Sequence, residues 1–177
     1  MVHLMFVLAV LTRFIPHPWN FSPVFGALLF GGAKLPKRDF LWFPLAVLAV
    51  SDVLLTTQVY GLQMHWTYGL GSLAFAAVAL IGRWLCREVT VRRFTAAAFA
   101  GPTAFYLISN FSVWLGFRTY PPTWEGLVAC YVAGLPYYRN SLLASFLFGA
   151  VLFGIYEYYA RKTGRGHVNV TAAARLG

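Results

Sequence analysis

Apolar runs alternate with short basic clusters along almost the whole chain, and this alternation limits the possible folds more than any single motif does. Hydrophobic residues make up 59% of the sequence and charged residues only 11%, which lies well outside the composition of a soluble domain. Basic clusters between apolar runs encode orientation in a membrane. The net charge of +9 therefore indicates a lipid bilayer as partner, and it does not indicate nucleic acid.

The lengths of the apolar runs predict an all-α fold, an integral membrane bundle of six transmembrane helices. The chain has room for roughly six helices of about 20 residues and for no separate soluble domain. The predicted helices cover residues 2–12, 21–33, 40–55, 68–85, 94–117 and 140–160. Residues 1–160 form this domain, and 161–177 form a basic cytoplasmic tail. The 118–139 connection has an apolar centre too short to span, which indicates a re-entrant or surface segment.

The distribution of Lys and Arg gives the orientation of the bundle. If both termini are cytoplasmic, 11 of the 14 basic residues lie on the cytoplasmic side. Only Arg13, Arg118 and Arg139 then lie outside. This asymmetry favours six spans with both termini inside.

The segment Arg13–Ala33, RFIPHPWNFSPVFGALLFGGA, interrupts the apolar pattern. Three prolines stand within eight positions of it: Pro16, Pro18 and Pro23. Because they remove backbone donors and favour extended neighbours, we predict a turn. Irregular backbone at membrane depth is tolerated only where it is buried in protein or lines a water-filled cavity. The turn therefore faces a site, or else it is an ordinary connection at the headgroup level with Trp19 as an interfacial anchor.

The predicted topology collects polar and aromatic side chains at the outer side. The candidate substrate-binding residues are Arg13, His17, Asn20, Asp52, His65, Trp66, Asn110, Tyr120, Trp124 and Asn140. In this hypothesis Arg13 and His17 bind an anionic or polar part of a small-molecule solute, and Asp52 orients them. Asn110 and Asn140 supply hydrogen bonds, and the rings of Trp66, Tyr120 and Trp124 stack on a ring of the solute. The alternative is a set of interfacial aromatics with locally paired charges.

Asp52 is a special case, because a carboxylate within a membrane is costly. We expect it to lie near the interface, to face the bundle, or to pair with Arg13, Arg118 or Arg139. Small residues at four-residue spacing, Ala27 and Gly31, indicate either internal packing or a docking face for a partner membrane subunit.

Several catalytic motifs are absent, so we expect no enzyme activity. The sequence has no G-x-x-x-x-G-K-[ST], H-E-x-x-H or G-x-S-x-G motif, and it predicts neither a nucleotide site, a metal site nor a cofactor. Energised transport would need a separate ATPase. Cys86 and Cys130 fall on opposite faces of the predicted topology and cannot pair with each other.

Several stretches resemble a bacterial family of uncharacterised proteins assigned to membrane transport. They are RFIPHPWNFSPVFGALLFGG, the Ser51–Asp52 end of the third helix, SNFSVWL from Ser109, and GLVACYVAGLPYYRNSLLASFLFGAVLFG from Gly126. That family is similar, more loosely, to the substrate-binding S components of energy-coupling-factor vitamin transporters, which are six-helix membrane proteins. The resemblance implies an S-component-like bundle in the bacterial inner membrane that takes up a vitamin-like solute.

Two functions remain as hypotheses. The first is a substrate-binding subunit that captures a vitamin-like solute from the extracytoplasmic side and is coupled to an energising partner. The second is a structural accessory subunit of a larger membrane complex, in which the polar residues only satisfy one another. A cavity enclosed by the outer polar residues would distinguish the two.

Overall fold

The computed structural model describes residues 1–16, 18–63, 68–86, 88–117 and 119–163. Within these ranges the chain contains six α-helices and no strand, which confirms the predicted all-α class. The helices are α1 (Val2–Leu11), α2 (Val24–Lys34), α3 (Trp42–Leu54), α4 (Tyr68–Leu85), α5 (Val91–Gly116) and α6 (Trp124–Lys162). A 3₁₀ turn, Thr12–Phe14, follows α1, and a π-helical turn, Leu55–Val59, follows α3.

Helix α2 is the centre of the bundle. Every residue of it from Val24 to Ala33 is buried, and it packs against α1, α4, α5 and α6. With 11 residues it is only about 16 Å long. Pro23 precedes its first residue and Pro36 follows its end, so prolines bound it on both sides.

Glycines let α2 lie in backbone contact with its neighbours. A Cβ added to Gly26 would lie 2.5 Å from the backbone nitrogen of Gly149 on α6. On the other side, a Cβ on Gly32 would collide with the carbonyl oxygen of Ala79 on α4. No side chain fits in either crossing, and close approach of this kind is what small residues allow between membrane helices.

The same packing corrects the predicted docking face at Ala27 and Gly31. Ala27 is fully buried, and a Cβ on Gly31 would lie 3.1 Å from the ring of Phe6. Phe6 of α1 therefore covers Gly31, and with Ala27 also buried inside the same chain this face cannot receive a partner's helix. The alternative, internal packing, is what the structure contains.

Helix α6 also differs from the prediction. It has 39 residues and begins at Trp124, so the expected re-entrant or surface segment is instead the first part of one continuous helix. Thr123 caps its start by accepting a hydrogen bond from the Gly126 amide at 3.2 Å. Helix α5 packs alongside, and the Tyr106 and Tyr131 hydroxyls each donate to a backbone carbonyl of the opposite helix, at 2.6 and 2.7 Å.

An ion pair and hydrogen bonds join the helix ends that are predicted to face the cytoplasm. The Lys34 ammonium at the end of α2 lies 2.7 Å from Glu157 of α6. Arg83 at the end of α4 donates to the Leu35 carbonyl at 3.1 Å. His3 at the start of α1 lies 3.1 Å from Asp39, just before α3. The turn that contains Asn20 lies at the opposite end of the bundle from these contacts.

The outer surface of the bundle is strongly apolar. Exposed large hydrophobic side chains stand on α1, α3, α4, α5 and α6, whereas α2 has none. Two segments within the described ranges, Trp42–Val59 and Trp124–Lys162, are long and apolar enough to cross a membrane.

Candidate functional site

Arg13 and Asp52 form an ion pair between the ends of α1 and α3. The Nη2 atom of Arg13 lies 2.7 Å from Oδ1 of Asp52, and Nη1 donates to the Ser51 hydroxyl at 2.6 Å. Both charged side chains are largely shielded, with 17% and 21% of their surface exposed. Asp52 therefore pairs with Arg13, one of the partners expected for it. Two hydrogen bonds fix the guanidinium in one orientation.

A tight turn, Pro18–Phe21, lies next to this pair. The Phe21 amide donates to the Pro18 carbonyl at 2.9 Å, and Asn20 has a φ of +57°. A turn with a positive φ at its third residue needs Gly or Asn there. From α6, the Asn140 side chain donates to the Trp19 carbonyl at 2.9 Å. This hydrogen bond joins the predicted turn to α6, which is far from it in the sequence.

A partly open cavity of about 610 Å³, the Arg13–Asp52 cavity, lies between the turn and the ends of α1 and α3. Its polar wall contains Arg13, Asp52 and Asn20. Its aromatic lining includes Phe25, Phe75 and Phe105, which pack together. Phe105 packs against both of the other rings, with centroids 5.1 and 5.2 Å apart. The volume of the Arg13–Asp52 cavity is in the range of small-molecule sites, which are mostly apolar with few polar groups.

A second partly open cavity, of about 370 Å³, lies between α5 and α6 and is called here the tyrosine-lined cavity. Its polar and aromatic lining residues are Asn20, Phe105, Tyr106, Ser109, Asn110, Tyr120, Tyr137, Tyr138 and Ser141. Asn20 and Phe105 also line the Arg13–Asp52 cavity, so the two spaces adjoin. Predicted site residues are therefore divided between two cavities.

Comparison with known proteins adds the family of the chain. A family model described as a family of unknown function, DUF6580, matches residues 1–169. The chain belongs to this family. No curated protein and no solved structure matches the sequence.

In this DUF6580 protein the ten predicted site residues have different positions. Arg13, Asn20 and Asp52 line the Arg13–Asp52 cavity, while Asn110 and Tyr120 line the tyrosine-lined cavity. Asn140 is paired with the turn backbone and lines neither cavity, so it positions the turn. Trp124 is 74% exposed at the start of α6 and lines neither cavity. His17, His65 and Trp66 lie outside the described residues.

Three further tyrosines of the DUF6580 protein, Tyr106, Tyr137 and Tyr138, line a cavity although they were not among the predicted site residues. They were overlooked because the first part of α6 was expected to be a separate surface segment. If that segment is drawn as a helix antiparallel to α5, the tyrosines of both helices share one interface. The described residues contain no group of three or more His, Cys, Asp or Glu side chains that could hold a metal ion.

Proposed function

We propose that this protein is a membrane-embedded substrate-binding subunit of a small-molecule transporter, taking a vitamin-like solute from the extracytoplasmic side. The observation that carries the proposal is the Arg13–Asp52 cavity, which is lined both by a fixed ion pair and by the packed rings of Phe25, Phe75 and Phe105. Such a site suits a solute with an apolar ring and a polar group at one end. Since the ion pair has no net charge, a neutral or zwitterionic polar group suits it better than a bare anion.

The apolar outer surface supports placement of the six helices in a lipid bilayer. A soluble monomer rarely exposes large contiguous apolar patches, yet every helix except α2 presents exposed large hydrophobic side chains. Helix α2 and α1 are each shorter than the hydrocarbon core of about 30 Å. In this proposal they end at membrane depth, where the irregular turn lines a water-accessible cavity rather than lipid.

A separate partner supplies the energy in this proposal. The sequence has no P-loop motif, so the chain lacks the phosphate-binding loop with which such ATPases hydrolyse ATP. With the small-residue face of α2 buried, the partner contacts the outer surface of α1, α3, α4, α5 or α6.

Native mass spectrometry of the protein released from lipid nanodiscs tests the proposal. We expect a co-purified small molecule on the wild type and its loss from the double variant Arg13→Ala/Asp52→Ala, which removes both charges and leaves neither unpaired. The matched control is Arg93→Ala/Glu88→Ala, because that ion pair is exposed and lies at the other end of the bundle. A wild type without any bound solute, or a solute retained by the Arg13→Ala/Asp52→Ala variant, contradicts the proposal.

The second candidate function is a structural accessory subunit of a membrane complex. One observation favours it: several polar groups of the site are paired within the chain, as in the Arg13–Asp52 pair and the Asn140 bond to Trp19. In that case the co-purified material is protein or lipid, and no solute is released. The same mass spectra therefore distinguish the two candidates.

A further inference from the structure

We propose that the tyrosine-lined cavity is a second subsite, which binds an uncharged planar group carrying an N–H donor. This inference rests on the proposed function, because it assigns the second part of the same solute. It concerns different residues from the ion pair and a different helix interface, α5 with α6. Asn20 and Phe105 border both cavities, so one extended solute can occupy them together.

The walls of the tyrosine-lined cavity are held in place before any ligand binds. The rings of Tyr106 and Tyr138 lie 4.8 Å apart between centroids. Their hydroxyl groups are already engaged, with the Tyr131 carbonyl at 2.6 Å and with the Thr103 hydroxyl at 2.8 Å. Rings fixed in this way offer flat surfaces for stacking without losing side-chain entropy on binding.

Asn110 provides the specific polar contact. Its Nδ2 atom donates to the Tyr106 carbonyl at 2.8 Å, which fixes the amide plane. Its Oδ1 atom faces Gly134, where an added Cβ would lie only 2.5 Å away, so glycine makes room for the amide. Within the described ranges no donor reaches Oδ1, which leaves it available to accept a hydrogen bond from an N–H group.

The absence of charged side chains from the described lining of the tyrosine-lined cavity determines which class of ligand it can bind. None of the described lining residues has a side chain that is charged at neutral pH: the titratable ones are tyrosines and Cys130. A bare carboxylate or ammonium entering this space would lose hydration without gaining an ionic partner. An aromatic amide meets no such cost and fits both the rings and the Asn110 acceptor.

Benzamide and benzoate are matched probes, because they have nearly the same shape and differ in charge and in the N–H donor. Saturation-transfer difference NMR on the protein in nanodiscs measures their binding. We expect benzamide to bind the wild type saturably below about 10 mM and benzoate to bind at least about tenfold more weakly. Absent benzamide binding up to about 10 mM, or equal binding of the two probes, overturns the inference.

Cavity-filling variants test whether benzamide binds in the tyrosine-lined cavity. Ala133→Trp fills the cavity from its exposed rim and should abolish benzamide binding. Ala129→Trp, the same change one turn earlier on α6 and outside both cavities, should leave it within about twofold. If Ala133→Trp fails to fold, Ser109→Leu fills the cavity from α5 instead. Benzamide binding that survives a folded cavity-filling variant overturns the inference.

The Arg13→Ala/Asp52→Ala variant separates this inference from the proposed function. We expect it to retain benzamide, since the ion pair does not line the tyrosine-lined cavity. If benzamide is lost from this variant yet retained by Ala133→Trp, the second subsite is wrong while the proposed function stands. If benzamide binds as expected but the wild type carries no co-purified solute, the proposed function fails and the subsite stands.

Discussion

Arg13 and Asp52 place two opposite charges in a largely shielded position, where each depends on the other. Removing one partner leaves the remaining charge desolvated and unpaired, whereas removing both leaves no such charge. We therefore expect Asp52→Ala to lower the free energy of unfolding by about 1–3 kcal/mol, and the double change with Arg13→Ala to lower it less. Thermal unfolding of the purified single and double variants measures this coupling.

The outcome also bears on function. If Asp52→Ala abolishes solute binding while thermal stability stays at the wild-type level, the pair is held for the solute rather than for the fold. Losses of stability that simply add in the double variant contradict a direct interaction between the two side chains.

Cys86 is expected to be inert in the folded protein. It is fully buried just after α4, and burial raises the pKa of its thiol to about 11, although the nearby Lys34 lowers it slightly. At pH 8 only about one such thiol in a thousand is ionised, and the thiolate is the reactive form. Maleimide should therefore leave native Cys86 unmodified and label it after unfolding in SDS.

A cysteine placed at the exposed Gln63 position is the control for this experiment and should react at once. Raising the pH from 8 to 9 should increase the thiolate fraction of Cys86 about tenfold, but labelling stays slow because the side chain is covered. Rapid labelling of native Cys86 at pH 8 contradicts the packing at the end of α4.

At the scale of the helices, the crossing of α2 and α6 depends on two glycines. Gly26→Ala puts a methyl group against the Gly149 backbone at 2.5 Å, which the helices can relieve only by separating. We expect a loss of about 1–3 kcal/mol in the free energy of unfolding. Gly154→Ala is the matched control on α6, where nothing lies within 4 Å of the added Cβ.

The control should be neutral or stabilising by about 0.5–1 kcal/mol, since Ala favours a helix over Gly. Thermal unfolding in detergent compares the two variants. Equal stability of Gly26→Ala and Gly154→Ala is inconsistent with backbone contact between α2 and α6.

Helix α6 gives the element-scale reason for the error in the 118–139 connection. An apolar stretch of that length, followed by Pro136 and Arg139, has no local signal that carries a helix through the proline. Packing supplies it, because α5 lies along this part of α6 and the tyrosine hydroxyls bond across the interface. Contacts with α5 therefore stabilise this part of the helix where the local sequence alone does not predict it.

At the scale of the whole molecule, the proposed six-span topology predicts which side of the membrane each exposed position faces. With Cys86 and Cys130 replaced by Ser and Ala, single cysteines at positions 63 and 125 should react with an impermeant reagent added outside intact cells. A cysteine at position 38 should react only after the membrane is opened. All three positions are exposed on the protein surface, so burial does not limit the labelling.

Labelling of positions 63 and 125 only from the cytoplasmic side reverses the topology. The proposed topology has one membrane crossing between positions 38 and 63, so these positions should lie on opposite sides. Labelling of all three positions from outside contradicts this crossing. The first result also places the cavities on the cytoplasmic side, which contradicts the direction of capture proposed for the solute.

The sequence by itself determined the helical class, the number of helices and the location of the turn. Apolar runs of limited length, basic clusters and prolines are local properties, and each acts within a few residues. The 68–85 helix was predicted with the bounds that α4 has. The turn at Pro18–Phe21 was indicated because prolines remove donors and no long-range contact can restore them.

The tertiary structure alone decided which polar residues share a site. Asn110 and Asn140 have the same chemistry, and the sequence assigned both to one solute. In the fold, Asn140 meets the Trp19 carbonyl across the bundle and is used to hold the turn, whereas Asn110 lines a separate cavity. Likewise, the glycines of α2 were consistent with a partner or with internal packing. Which faces meet depends on how all the helices pack together, and that is not a property of any single segment.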